Sequence, residues 1–288
     1  MQQPPLYVAP WWLDATCGPG GWDAAIIQDT HGNPVAGLPY HLTRIRGLPA
    51  LITPPFTQWV TPVSSSDSPG NYIPSLLSAL PQVPILDLCL KPDTHLDLVE
   101  SVIPATLKYS YIIPGTLSGE QLRSGYSEGL RRNLNKAEKL YSIESTTDIN
   151  SFLTLCRQSY AQQKMSPPPW LSRVVPEVYK GLLTHQCGDL MMAYSEGRPI
   201  AGILTARDHH TSYYLAGGRT GDEQGASAHA LLLDHAVRAA LERGTAFDFE
   251  GSMHPGIANF FQSFGALPAS YWRFRKFRGL GKLWSVFH

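Results

Sequence analysis

YYLAGGRTGDEQGASAHALLLDHAVRAALERGTAFDFEGSMHPGIANFFQSFGA, residues 213–266, is the stretch whose reading decides the fold. An aromatic run opens it and a polar, glycine-bearing turn follows from Gly217 to Gly225. The next segment carries Leu231, Leu232, Ala236, Val237, Ala240 and Leu241 at helical spacing. A strand over 246–250 and a short helix ending Phe264-Gly265-Ala266 complete a strand–turn–helix–strand order, which implies one parallel step. The first N–H groups of such a helix have no partner within it, and the helix dipole adds positive charge there. The turn is therefore an expected anion site.

The whole chain has 288 residues, 43% of them hydrophobic and 16% charged, as in globular proteins of about two domains of roughly 150 residues each. Lys plus Arg and Asp plus Glu are both 23, so the chain has no overall basic excess, and any nucleic-acid contact has to be a local patch. Cys17, Cys89, Cys156 and Cys187 are far apart and join no Cys/His cluster. This indicates neither a disulfide framework nor a metal site, and points to reduced thiols in the cytoplasm. No apolar run is long enough for a membrane span.

Outward from the central stretch, two hairpins are readable. WDAAIIQDTHGNPVAGLPYHLTRIRG turns at His31-Gly32-Asn33-Pro34, and DLMMAYSEGRPIAGILTARD turns near Gly197. The segments Gly32-Asn33-Pro34-Val35-Ala36-Gly37-Leu38 and Gly197-Arg198-Pro199-Ile200-Ala201-Gly202-Ile203 match almost position for position, which suggests two copies of one unit. Between them, 53–71 reads as a long irregular loop, rich in proline and serine, that contains PPFTQW. Helices are expected near 73–80 and 94–103, with strands over 84–89 and 106–113. Ser118 with Gln121 forms a capping-box pattern that opens a helix through Leu140, a bridge bearing Arg131, Arg132, Lys136 and Lys139. The pattern gives an α/β or α+β class, with a first lobe over 1–117, a connecting helix over 118–140 and a second lobe over 141–288. The ending YWRFRKFR alternates aromatic and basic residues. It reads as an edge strand, or as a local patch for a nucleotide or tRNA backbone.

Arg219-Thr220-Gly221-Asp222-Glu223-Gln224-Gly225-Ala226, opening a helix and followed by the strand and short helix above, resembles the acyl-CoA signature of the GNAT acyltransferase superfamily. FDFEGSMHPGIANFFQSFGA, WDAAIIQD, PPFTQW and RRNLNKAEK are similar to the FemAB-like, two-lobed branch, over about residues 12–274. The resemblance implies two tandem GNAT-like lobes, each a mixed sheet flanked by helices. It also implies direct acyl transfer from a thioester or an aminoacyl-tRNA to an amine on a small molecule, peptide or envelope precursor. In the superfamily a tyrosine four residues before the terminal glycine is often the general acid. That place holds Phe261 before Gly265, a departure that favours the branch whose donors include aminoacyl-tRNA.

Candidate residues follow from these readings. Arg219, Gly221, Gln224, Gly225, Ala226 and Ser227 are expected at an acyl-CoA pyrophosphate, with no metal. Glu250, expected at the strand's carboxyl end on the same face as Asp248, is the candidate base or amine-orienting group, or else a structural carboxylate of the Gly251-Ser252 turn. His254 is the second titratable candidate, while His229 reads as surface or packing. Tyr214, Arg132, Lys136, Phe56 and Gln58 are candidate substrate contacts. Ser252 lies in no Gly-x-Ser-x-Gly elbow, which does not support a serine hydrolase. Three functions stay open: a FemAB-like N-acyltransferase, an acetyl-CoA-dependent GNAT enzyme, and a non-catalytic lobe pair that binds a ligand or partner.

Overall fold

The computed structural model describes residues 4–65, 69–91, 103–251 and 253–283. They divide into two compact units, one of residues up to 108 together with those from 270 onward, the other of residues 109–269. In chain order the elements are α1 (Pro10–Cys17), β1 (Trp22–Gln28), β2 (Pro34–Ile45), β3 (Leu48–Ile52), β4 (Val63–Ser64), α2 (Ile73–Ala79), β5 (Ile85–Leu90) and β6 (Ala105–Ile113). There follow α3 (Gly119–Gly125), α4 (Glu128–Leu140), β7 (Ser142–Ser145), α5 (Ile149–Gln162), α6 (Pro169–Arg173), α7 (Val175–Thr184), β8 (Gly188–Ser195) and β9 (Arg198–Arg207). The last are β10 (Thr211–Arg219), α8 (Glu223–Glu242), β11 (Ala246–Asp248), α9 (Pro255–Gln262) and β12 (Leu267–Phe277). Mixed α/β class is thus observed, as expected.

In the first unit, β1 and β2 form the expected hairpin. Its turn is held by the Asp29 carboxylate, which accepts the N–H groups of His31 at 2.8 Å and Asn33 at 2.9 Å while Gly32 takes φ 82°. Strand β3 pairs in parallel with β5, and β5 antiparallel with β12. Helix α2 packs Ile73, Leu76 and Leu77 into a core with Leu38, Leu51, Leu88 and Phe274. The described residues of the segment 53–71 are mostly irregular, as its prolines predict, apart from β4 and a 3-10 turn at Pro69–Tyr72. The helix expected over 94–103 falls almost wholly outside the described residues.

The basic-aromatic ending is not an edge strand. β12 pairs with β5 on one side, and on the other Arg275 N–H donates to Pro104 O at 3.0 Å. The alternation has a different cause: Phe274 enters the core, while Arg273 clamps the Asp87 carboxylate through two hydrogen bonds of 2.6 Å and Arg275 approaches it at 3.3 Å.

In the second unit the sheet order is β6-β11-β10-β9-β8-β7. Pairing is antiparallel except between β10 and β11, the expected parallel step. Glu196 and Gly197, at φ 50° and 74°, make the two-residue turn between β8 and β9 that suits strand twist. The repeated heptapeptides hold equivalent positions: each begins at a turn and enters the second strand of its hairpin, with Ala36 and Leu38 buried in one, Ala201 and Ile203 in the other.

The single helix expected over 118–140 is two. The Ser118 capping box opens α3 as predicted, but the helix stops at Gly125, and Ser127 starts α4 by accepting Leu130 N–H. Ser127 N–H is held at 2.8 Å by Ser263 O, a distant partner that pulls the chain out of helical register. Around α8, a buried Asp234 accepts from Tyr126 Oη at 2.7 Å and pairs with Arg238 at 2.6 Å, tying α3 to α8.

Two consecutive glycines show how helices sandwich β10. A Cβ on Gly217 would lie 2.3 Å from Tyr214 Oη and 2.6 Å from His229 Nε2, toward α8. One on Gly218 would lie 2.2 Å from the backbone of Cys156, on α5. Successive residues of a strand face opposite sides, so α8 and α5 cover opposite faces of the sheet. The second core fills the α8 side with Leu231, Leu232, Ala236, Val237, Phe247, Phe249, Phe261 and Phe264.

Candidate active site

Strands β10 and β11 are in register for three pairs, Thr211 with Ala246, Ser212 with Phe247 and Tyr213 with Asp248. Beyond that point β11 ends, whereas β10 continues to Arg219, and the two diverge. A bulge assists the divergence: Tyr214 opposes Thr205 and Ala216 opposes Leu204, so Leu215 is an extra residue. This extra residue puts Tyr214 and Gly217 on the same face, toward α8. Tyr214 and Phe249 are thus the first residues past the parallel pairing on their respective strands.

Tyr214 Oη lies 3.0 Å from His229 Nε2, and the half-buried pair packs against Phe261 and Phe260. Burial pushes the His229 imidazole down to about 4 and raises the Tyr214 phenol, so both are neutral near pH 7. His229 is therefore no surface residue. It sits at the same helical face as Leu232 and Ala236, three and seven positions on, and this periodicity was the available signal.

Glu250 leaves the strand. Its φ is 59°, the following Gly251 has φ 53°, and a Cβ on Gly251 would stand 2.3 Å from Tyr109 O. The close approach demands glycine and turns the chain, so Asp248 and Glu250 do not share a strand face. Asp248 is structural: buried, it accepts from Ser110 Oγ and, at 2.8 Å, from Glu250 N–H. Glu250 Oε1, by contrast, is buried with no hydrogen-bond partner among the described residues, and burial holds its carboxyl well above the usual carboxylate range. Such burial makes the ionised carboxylate a stronger base than an exposed one.

The start of α8 is filled from within. Asp222 caps it, accepting Gly225 N–H at 2.9 Å and Thr220 Oγ1–H at 2.8 Å, and Glu223 occupies the first turn. Gly225 is bare because a Cβ would meet Thr220 Oγ1 at 2.4 Å; Gly221 is bare because one would meet the Gln162 side chain at 2.6 Å. Arg219 donates to Thr220 O at 3.2 Å, Gln224 and Ala226 are exposed, and Ser227 Oγ donates to Asn133 Oδ1 on α4. A pyrophosphate at this helix end would face the carboxylates of Asp222 and Glu223, a charge pattern that does not fit it. The Asp222 cap is a signal that sequence reasoning passed over.

His254 is exposed at the start of α9; Arg132 is exposed and 3.8 Å from Glu128; Lys136 is exposed. In the first unit, Phe56 adopts φ 58° and stacks on Trp12, whose indole N–H donates to Thr57 Oγ1 at 2.8 Å. Both polar atoms of the Gln58 amide are buried without a hydrogen-bond partner among the described residues. Ser252 lies outside the described residues. Among those residues no His/Cys/Asp/Glu group fit for a metal occurs, and no helix is long and apolar enough to cross a membrane. The four cysteines are free, with burial pushing Cys17 up to about 11 and Cys156 up to about 12, which leaves little thiolate to act as a nucleophile.

Comparison with known proteins agrees with this fold. The acetyltransferase (GNAT) domain family matches residues 124–260. No curated protein matches the chain. Among solved structures it is similar to FemX at 12% identity and a TM-score of 0.69, over 92% of this chain and 90% of that one. It is also similar to L-PGS from Bacillus licheniformis, at 16% identity and a TM-score of 0.53 over 93% and 87% of the two chains. A tandem GNAT protein from the clavulanic acid biosynthesis pathway matches at 12% identity and a TM-score of 0.52, over 92% and 93%. At such identities the likeness is one of fold. The acetyltransferase (GNAT) family model matches the chain over residues 124–260, and the chain has the fold of FemX and of the tandem GNAT protein.

Proposed function

We propose that the protein is an N-acyltransferase that moves an acyl or aminoacyl group onto an amine, with Glu250 taking the amine's proton. The observation that carries this reading is Glu250 Oε1, buried and without a hydrogen-bond partner among the described residues, just beyond the diverging strands. An ordinary carboxylate is too weak a base to compete for an ammonium proton. Each unit by which burial raises it removes about 1.4 kcal/mol of that mismatch. Loss of the proton exposes the amine lone pair, which attacks the acyl carbonyl carbon; the C–N bond forms, the bond to the leaving group breaks, and the second proton shed by the nitrogen ends on the departing oxygen or sulfur. Proximity and proton transfer are sufficient for this reaction, and no covalent enzyme intermediate is needed.

The self-capped start of α8 favours an aminoacyl-tRNA donor over acyl-CoA, since Asp222 and Glu223 oppose a pyrophosphate there. In this reading Arg132 and Lys136 on α4 supply local contacts to a donor's phosphodiester backbone. Phe56 and Gln58 are ligand contacts of the first unit, supported by the strained φ and the unpaired amide. The free thiols fit a cytoplasmic setting.

The donor is tested by incubating the protein with a pool of amines and either radiolabelled aminoacyl-tRNA or radiolabelled acetyl-CoA, and counting amide product. Product from aminoacyl-tRNA alone is expected. Product from acetyl-CoA alone would overturn the donor assignment, and product from neither would overturn acyl transfer.

A further inference from the structure

Between the end of α2 and the end of β12, the first unit holds a cavity of about 240 Å³. Leu77, Leu80, Leu86 and Ile103 line it, all of them members of the buried core. Lys276 and Arg278 line it as well, and the strand pattern makes that notable. Side chains two apart on a strand share a face, so Lys276 and Arg278 continue the row begun by Phe274, which enters the core. The pairing agrees: Phe274 stands opposite Leu88 and Lys276 opposite Leu86, two core leucines. A row that served packing alone would run on with apolar residues and close the gap.

The other face of β12 is built differently, since Arg273 and Arg275 there share the Asp87 carboxylate. Among the described residues no carboxylate lines the cavity, and Arg278 makes no side-chain ion pair or hydrogen bond. The Arg278 backbone is nevertheless pinned. Its N–H donates to Pro84 O at 2.9 Å, and its carbonyl accepts Gly281 N–H at 2.8 Å. Residue 281 is glycine where a Cβ would stand 2.2 Å from that same Pro84 O. A fixed backbone thus presents an unpaired guanidinium to an apolar space.

We propose that this cavity binds a straight-chain carboxylate of about eight to ten carbons, with its tail against the leucines and Ile103 and its head on Arg278. An apolar cavity of about 150 Å³ accommodates the six carbons of benzene, so in proportion 240 Å³ accommodates about ten. That volume admits one short chain and leaves no room for the two tails of a diacyl lipid. A guanidinium offers two parallel N–H donors that match a carboxylate, and Lys276 adds a second positive charge. The proposal is independent of the acyl-transfer reading.

Isothermal titration calorimetry on the full chain tests it, with hexanoate, octanoate, decanoate, dodecanoate, 1-decanol, decyltrimethylammonium and decyl phosphate, each below its micelle-forming concentration. From hexanoate to decanoate, affinity should rise about fourfold per methylene, and dodecanoate should gain nothing further. Arg278→Gln should weaken decanoate by about tenfold or more and leave 1-decanol unchanged. Ser78→Trp, at an exposed lining position, should weaken both. No binding of decanoate, equal affinity for decyltrimethylammonium, or unchanged decanoate affinity in Arg278→Gln would overturn the proposal. Tighter binding of decyl phosphate than of decanoate would overturn carboxylate as the head group. Co-sedimentation with phosphatidylglycerol vesicles without decanoate binding would overturn the proposal in favour of a membrane surface. If Arg278→Gln fails to fold, the wild type's preference between decanoate and decyltrimethylammonium decides the matter.

Discussion

Tyr214 on β10 and His229 on α8 meet at 3.0 Å between Oη and Nε2, on the face of the sheet where β10 parts from β11. Residue 217, three positions after Tyr214, must be glycine for that contact to exist, because any Cβ there would fall within 2.6 Å of both partner atoms.

Gly217→Ala is accordingly expected to break the pair. Neither ring can retreat freely, because His229 stacks on Phe260 and Tyr214 packs on Phe261. Overpacking of this kind costs about 1–3 kcal/mol. Urea denaturation should show that loss, and transfer activity should fall with it.

His229 predicts an acid-side weakness. The folded protein keeps this imidazole neutral down to about 4, whereas the unfolded chain protonates near 6.5. Between those values the unfolded state binds more protons, so stability is lost as pH falls through the window, by up to about 3 kcal/mol. His229→Gln should flatten the dependence of unfolding free energy on pH between 6.5 and 4.

Glu250 predicts the opposite slope. Its folded-state carboxyl holds its proton above the ordinary 4.5, so as pH rises past that value the unfolded chain ionises first and stability falls. Relative to the wild type, Glu250→Gln should gain stability from pH 4.5 upward, measured as a rising difference in Tm across a pH series.

These sites show what the sequence could and could not reveal. The βαβ step was legible because a glycine-bearing turn and a 3.6-residue stripe lie in unbroken order, and the hairpins because Gly32 and Gly197 take positive φ. The break between α3 and α4 was not legible, since a hydrogen bond from Ser127 to distant Ser263 enforces it. Glu250 read as a strand residue for a similar reason: the nearness of Gly251 to Tyr109 O, across more than a hundred residues, bends it out of the strand. The arginines of β12 looked like an exposed edge because their partner, Asp87, is 186 positions from Arg273. Local periodicity identified the elements; long-range contacts decided which side chains could do chemistry.

Asp234 offers a prediction independent of catalysis. Almost wholly buried, it serves Tyr126 and Arg238 together. Asp234→Ala strands the buried Tyr126 phenol, while Arg238 keeps Glu138 at 3.4 Å, and should cost about 1–3 kcal/mol by urea denaturation.

The rate of amide formation by Glu250→Gln tests the central claim most directly, because glutamine keeps the shape of the side chain and removes its capacity to take a proton. With the folded state verified by an unchanged or higher Tm, the rate should fall by about 10²–10⁴. A variant that folds and transfers within threefold of the wild type would contradict the assignment of Glu250 as the base.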